Sequence, residues 1–213
     1  GGSVRITSGS SEESRSGSLT LNSADSTGTE GSGNIQVATG SANSKSGSIS
    51  LVTGLSSGGS AGNIVISAGI SQKVQGGNIR MAAGDSIEAT GGGVSIESGS
   101  SDQTSSGSVS IRTANSGVTG SSGTILLSTG SSTEKSTGGI SLSTGQVNGD
   151  DDTVAGSITL QVGASTDEAH AGDITLFAGD SQTSTGGSIA MTTGISAQVG
   201  SGSMKIETGT AND

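Results

Sequence analysis

The sequence predicts an all-β protein, a parallel β-solenoid in which short repeats stack on one another. The first observation is a motif that recurs fourteen times in 213 residues: a glycine, two aliphatic residues two positions apart, and a small residue two positions further on. The second is that charged residues avoid the aliphatic positions, and the third is that every change of repeat length falls between motifs. Repeats too short to bury their own apolar face build a core only by stacking.

Each repeat is numbered from its opening glycine. Most repeats have fifteen residues, one has fourteen, three have sixteen and one has eighteen. The opening glycines are Gly2, Gly17, Gly33, Gly47, Gly62, Gly77, Gly92, Gly107, Gly123, Gly138, Gly156, Gly172, Gly187 and Gly202.

Positions 3 and 5 carry only aliphatic residues or Met. Position 3 is occupied by Val4, Leu19, Ile35, Ile49, Ile64, Ile79, Val94, Val109, Ile125, Ile140, Ile158, Ile174, Ile189 and Met204, and position 5 lies two residues later in each repeat. Position 7 is Ser, Thr or Ala in every repeat except one, where it is Val162. Side chains alternate between the two faces of a strand, so positions 3, 5 and 7 share one face.

Charged residues of the predicted strands fall on the opposite face, at positions 2, 4 and 6. They are Arg5, Arg80, Glu97, Arg112, Asp173, Lys205 and Glu207. One apolar face and one polar face are typical of a half-buried strand. A three-residue apolar pattern between glycines cannot form the stripe of an amphipathic helix.

Positions 9 to 14 are polar and are predicted to be loops, since loops absorb changes of length. Position 10 is serine in eleven repeats, and we expect these serines to hydrogen-bond to the loop backbone and to one another. They are Ser11, Ser26, Ser56, Ser71, Ser86, Ser101, Ser116, Ser132, Ser165, Ser181 and Ser196. The residue before each opening glycine is always Gly, Ala, Ser or Thr, which predicts a tight turn.

Either one or two repeats could close a coil of the solenoid. Two repeats, about thirty residues, would let aliphatic faces meet, and burial favours this arrangement. Asp and Asn at position 9 occur only in alternate repeats, as at Asp25, Asp85 and Asp180. This alternation also favours two repeats per coil. The fourteen repeats form a single array over residues 1–213, and their regular ends predict a segment of a longer array or copies that join end to end.

Composition alone suggests another structure. Glycine makes up 40 residues, and Pro, Cys, Trp and Tyr are absent, which is typical of a flexible linker. We expect the periodicity to override this tendency. The net charge of −10 argues against nucleic acid and anionic membranes as partners. No apolar run reaches the length of a membrane span, so no membrane insertion is expected.

The sequence offers only weak candidates for chemistry. Asp150–Asp152, with Asp167 and Glu168, could bind a cation such as Ca²⁺, but acidic residues do not recur in register and solvated loops are the favoured interpretation. His170, the only histidine, lies in a loop of variable length with nothing to orient it as a catalytic base. The cluster Gly91–Gly93 precedes a strand rather than a helix, unlike a phosphate-binding loop. No catalytic residue, cofactor or metal is therefore expected, and the chain is not predicted to be an enzyme.

The segment Gly47-Ser48-Ile49-Ser50-Leu51-Val52-Thr53-Gly54 displays the motif well. It resembles the long Gly/Ser/Thr-rich repeat proteins of unicellular algae and their relatives, and the resemblance extends over the whole chain. It implies an extracellular or cell-surface location and brings no catalytic residues.

These observations predict a structural component of an extracellular fibre, filament or stalk. The expected partners are further copies, end to end or side by side, and any glycans would be O-linked because no Asn-x-Ser/Thr sequon is present. The alternative is a module that binds a surface such as ice or a mineral. Regular outward threonines would favour ice binding, but the threonines of this chain cluster at position 7, on the predicted inner face.

Overall fold

A computed structural model of the chain describes residues 1–149, 153–166 and 169–209. Over these residues the backbone forms no helix and no β-strand. Bends recur in the polar segments, for example at residues 12–14, 72–74 and 182–184, and the rest has no regular secondary structure. The prediction of an all-β parallel solenoid, with about two repeats per coil, is therefore wrong.

The chain divides into two units, which we call the N-terminal half, Gly1–Val109, and the C-terminal half, Ser110–Asp213. Each half contains the same succession of motif and loop. The division falls inside the repeat that opens at Gly107, so it does not follow the repeat boundaries. Whether residues 1–213 form a single array stays a prediction.

None of the described residues is buried. The accessible surface is 21,896 Å² for a mass of 20.1 kDa. A compact monomer of that mass exposes about 8,700 Å², and a fully unfolded chain exposes about 29,000 Å². The aliphatic residues at positions 3 and 5 are 49 to 91% exposed, so the predicted apolar core is absent from the chain by itself.

The predicted alternation survives as a difference in exposure. Val65, at position 4, is 82% exposed, whereas its neighbours Ile64 and Ile66 are 55% and 68% exposed. Leu126 is likewise 82% exposed, and Ile125 is 49% exposed. Apart from Val4, which is 91% exposed, position 3 is more sheltered than position 5, but the difference falls far short of a buried face.

The absence of strands has a physical cause. A short strand is stable only when its backbone groups pair with a neighbour and its apolar side chains are covered, because ordering costs about 1–2 kcal/mol per residue. Among the described residues, the backbone hydrogen bonds outside regular structure join nearby glycines along the chain rather than equivalent positions of successive repeats. Six of the seven span eight residues, from the end of one motif to the start of the next.

A helix that crosses a membrane needs about 20 consecutive, mostly apolar residues. No helix of the required length and hydropathy occurs in residues 1–149, 153–166 and 169–209.

Candidate functional site: the repeat closure and the apolar strip

The first local feature is a hydrogen bond that closes the loop of a repeat, here called the repeat closure. The N–H of an opening glycine donates to the carbonyl oxygen of the glycine at position 8 of the preceding repeat, over 2.8 to 3.0 Å. The pairs are Gly17–Gly9, Gly77–Gly69, Gly92–Gly84, Gly107–Gly99, Gly187–Gly179 and Gly202–Gly194. All six lie in repeats of fifteen residues, so this length favours a turn in which the two glycines meet.

The opening glycine itself packs against the side chain at position 7 of the preceding repeat. A Cβ added to Gly77 would lie 3.1 Å from the Cβ of Ala68, and one added to Gly187 would lie 3.1 Å from the amide nitrogen of Gly179. Every opening glycine after Gly2 has the position 7 side chain within 3.9 Å of such a Cβ. The motif therefore needs glycine at position 1 and a small residue at position 7 because two segments of chain approach closely there.

The closing glycine at position 8 shows the opposite environment. A Cβ added to Gly69, Gly84 or any other glycine at this position would meet no atom within 4 Å. Two repeats carry Ala24 and Ala114 here, which agrees with the open space. Among the glycines only Gly31 has a positive φ, +83°, so the left-handed conformation does not explain the abundance of glycine.

The serines at position 10 stabilise the loop from within. Their hydroxyl oxygens accept hydrogen bonds from backbone N–H groups three residues later, as in Val74 to Ser71 at 3.1 Å and Ala89 to Ser86 at 3.0 Å. Within the described residues such a bond to the second or third following residue is made by nine of these serines: Ser11, Ser26, Ser56, Ser71, Ser86, Ser101, Ser132, Ser181 and Ser196. The predicted bonding of these serines to the loop backbone is confirmed.

Bonds between the position 10 serines of different repeats do not appear in the parts of the chain that the structure describes. The hydroxyl contacts that do occur, Ser11 with Ser14 and Ser101 with Thr104, lie within a single loop. The serine column therefore shapes each turn separately.

The second local feature is the set of aliphatic residues at positions 3 and 5 within a half, here called the apolar strip. Its members recur once per repeat and all remain exposed. Only a few large apolar residues lie at positions 4 and 6; these are Val52, Val65, Leu126 and Phe177, and each is at least 82% exposed. Removing such side chains from water is favourable, so their recurrence favours contact with another surface.

Charge is separated from the apolar strip. Positions 2 to 6 carry four basic and three acidic residues, whereas the remainder of the chain carries four basic and fifteen acidic residues. The motif is thus nearly neutral and the loops hold the negative charge. One ion pair, Lys205 Nζ to Glu207 Oε2 at 2.7 Å, lies on the polar positions, and both side chains are largely exposed, so the pair adds little stability.

Within the described residues, the candidate residues for chemistry are not brought together into a site. Asp150–Asp152, Asp167 and Glu168 lie outside the described residues, and within the described part of the chain no group of three acidic or histidine residues could hold a metal ion. His170 is exposed. The cluster Gly91–Gly93 takes part in a repeat closure through Gly92.

The structure also contains a depression of about 360 Å³, lined by Arg112, Thr113, Ala114 and Asn115. These four residues are consecutive, so the depression follows one segment of backbone. Sites that bind small molecules usually bring polar groups together from several segments. This depression lacks that convergence.

Sequence reasoning missed the contact between the opening glycine and position 7. Its signal was present, because small residues at position 7 accompany glycine at position 1 along the whole chain. The pattern predicts a third inward position of a strand, whereas the structure uses it to bring the two ends of a loop together.

Comparison of the chain with protein-family models, with curated proteins and with solved structures found no match.

Proposed function

We propose that this chain is a structural component of an extracellular fibre, filament or stalk and that it acts by binding further copies of itself. The observation that carries the proposal is the apolar strip, which recurs with the repeats and whose side chains stay 49 to 91% exposed within the chain. Metal or small-molecule chemistry would need polar groups that converge, and the described residues offer none.

Energetics support assembly. The chain as it stands buries no aliphatic side chain, so it lacks the term that normally offsets the entropy of ordering. Fully burying one Ile or Leu side chain contributes about 1.5–3 kcal/mol. The repeats of each half can make several such contacts, and linked contacts reinforce one another by raising the effective concentration.

The extracellular location rests on the resemblance to secreted Gly/Ser/Thr-rich repeat proteins. The composition agrees with it, since the chain has eight Lys and Arg residues and Phe177 is the only aromatic residue. Proteases that cleave after basic or aromatic residues therefore find few sites, which suits a durable component outside the cell.

Surface binding to ice or a mineral stays a second prediction without a favouring observation. The threonines at position 7, such as Thr39 and Thr113, place a methyl carbon 3.2 Å from the Cβ position of the next opening glycine. Their methyl groups lie beside that glycine, although Thr39 itself stays exposed.

The test is to locate the protein in its native material. Antibodies raised against the loop peptide 84–92 should label elongated structures outside the cell in immunogold electron microscopy, because this loop stays accessible when the apolar strips are covered. Pre-incubation with the peptide is the control. Labelling of dispersed particles inside the cell would overturn the proposal.

A further inference from the structure

We infer that the partner of the apolar strip is the apolar strip of a second copy of this chain, with the acidic loops turned outward. The inference rests on the proposed function in one respect: it takes self-association as the mode of action and assigns the surface that carries it. The occupant is thus a further copy rather than a different protein.

The exposed area is the first argument. The surface of 21,896 Å² exceeds that of a compact monomer of this mass by about 13,000 Å². A stable interface buries about 1,600 Å² in total, about 800 Å² on each partner. This surplus includes the polar loops as well as the aliphatic residues, and it is several times the area that one contact with a copy buries.

The second argument is the spacing of the contacts from one repeat to the next. Both partners of a repetitive interface must present their contacts at the same spacing, or the register is lost after one or two repeats. A second copy meets this condition by construction, since all changes of repeat length lie in the loops and leave the motif intact. The interface is then self-complementary, as in symmetric assemblies of identical chains.

Charge is the third argument. The motif is nearly neutral, with four basic against three acidic residues, so two strips can approach without burying unpaired charge. The loops carry the excess of acidic residues and would repel one another if they were buried at the contact. Strip against strip is therefore the arrangement that covers apolar surface and leaves like charges in water.

The open space at position 8 is compatible with this contact. Glycines such as Gly69 and Gly179 follow each strip, have no neighbour within 4 Å of a Cβ position and have no positive φ. Nothing within the single chain requires glycine there. A residue without a side chain lets the backbone of another chain approach closely.

The experiment compares two fourfold variants of the full 213-residue chain. The strip variant carries Asp at four positions 3, and the control variant carries Asp at the four apolar residues of positions 4 and 6 in the same repeats. The strip substitutions are Ile49→Asp, Ile64→Asp, Ile125→Asp and Ile174→Asp, and the control substitutions are Val52→Asp, Val65→Asp, Leu126→Asp and Phe177→Asp. Both variants lose four large apolar side chains and gain the same charge.

Sedimentation velocity over a concentration series measures assembly. We expect the strip variant to need at least about a hundredfold higher concentration for half-assembly, and the control variant to remain within about threefold of the unchanged chain. NMR spectra of dilute samples report the Gly77 and Gly187 amides, so that an effect on the repeat closure is distinguished from an effect on the contact.

Three outcomes would overturn the inference: an unchanged chain that stays monomeric at every concentration, equal weakening in both variants, or assembly that requires a different protein. The two proposals fail separately. If immunogold labelling finds extracellular fibres but the strip variant still assembles, the strip assignment is wrong and the structural role stands. If the strip variant alone fails to assemble but the native protein is found inside the cell, the extracellular role is wrong and the contact surface stands.

Discussion

The clearest test of the repeat closure replaces each of its two glycines in turn. Gly187 donates its N–H to the carbonyl oxygen of Gly179 over 2.9 Å. In Gly187→Ala the new Cβ would lie 3.1 Å from the Gly179 nitrogen and 3.3 Å from the Cβ of Ala178, so the segments must move apart. In Gly179→Ala the new Cβ meets nothing within 4 Å. The two substitutions are chemically identical and affect the same hydrogen bond.

The magnitude follows from the bond at stake. A backbone hydrogen bond contributes about 0.5–1.5 kcal/mol net, which corresponds to about a twofold to twelvefold change in an equilibrium. Gly187→Ala loses that contribution. Gly179→Ala keeps it and also restricts the open chain, an effect that stabilises by about 0.4–1 kcal/mol where the native conformation suits alanine.

Amide hydrogen exchange at residue 187 measures the closure in dilute, unassembled protein. After correction for the intrinsic rate, we expect Gly187→Ala to exchange about fivefold faster and Gly179→Ala to exchange no faster than the unchanged chain. The pair Gly77→Ala and Gly69→Ala should repeat the result in the N-terminal half. Equal acceleration in both members of a pair would refute the steric explanation of the opening glycine.

Further predictions concern the loops and their charge. Ser71→Ala removes the hydroxyl that accepts from the N–H of Val74, and should speed amide exchange at Val74 about fivefold, whereas Ser67→Ala outside the loop should not; equal effects would contradict the role of the serine column. Removal of divalent cations with a chelator should leave the circular dichroism spectrum and the sedimentation profile unchanged, and a large change in either would place a cation site among the acidic loops. Raising the ionic strength from about 0.01 M to about 0.15 M shortens the Debye length from about 30 Å to about 8 Å, so it should lower the concentration needed for assembly severalfold; weaker assembly at higher salt would argue against acidic loops as the opposing force.

The repeat structure of this protein could be derived from the sequence alone. Spacing revealed the fourteen motifs, separated the aliphatic positions from the charged ones, and placed the loops where length varies. The bonding of serines such as Ser86 to the loop backbone was also predicted correctly, because a hydroxyl that bonds a few residues along its own chain is a local interaction. Local chemistry of this kind depends on neighbours that the sequence places side by side.

The fold class could not be derived from the sequence by the same reasoning. Alternation shows that Ile64 and Ile66 share a face and Val65 does not, but it does not show what covers that face. Strands require hydrogen-bond partners and apolar cover from outside the segment, and in this chain neither is supplied by another repeat. Composition, which by itself suggests a chain without regular structure, is closer to the observed backbone than the periodicity is.

The sequence and the tertiary structure therefore determine different features of this protein. The sequence by itself determines the repeat, its serine-bonded loop and the separation of charge from apolar residues, because each follows from the order of residues over short distances. Only the tertiary structure decides that the opening glycine meets position 7, that the closure joins the two ends of one loop, and that Ile64 and its equivalents stay exposed. Those facts depend on which distant groups approach one another, and that depends on the balance between burial and chain entropy rather than on the pattern.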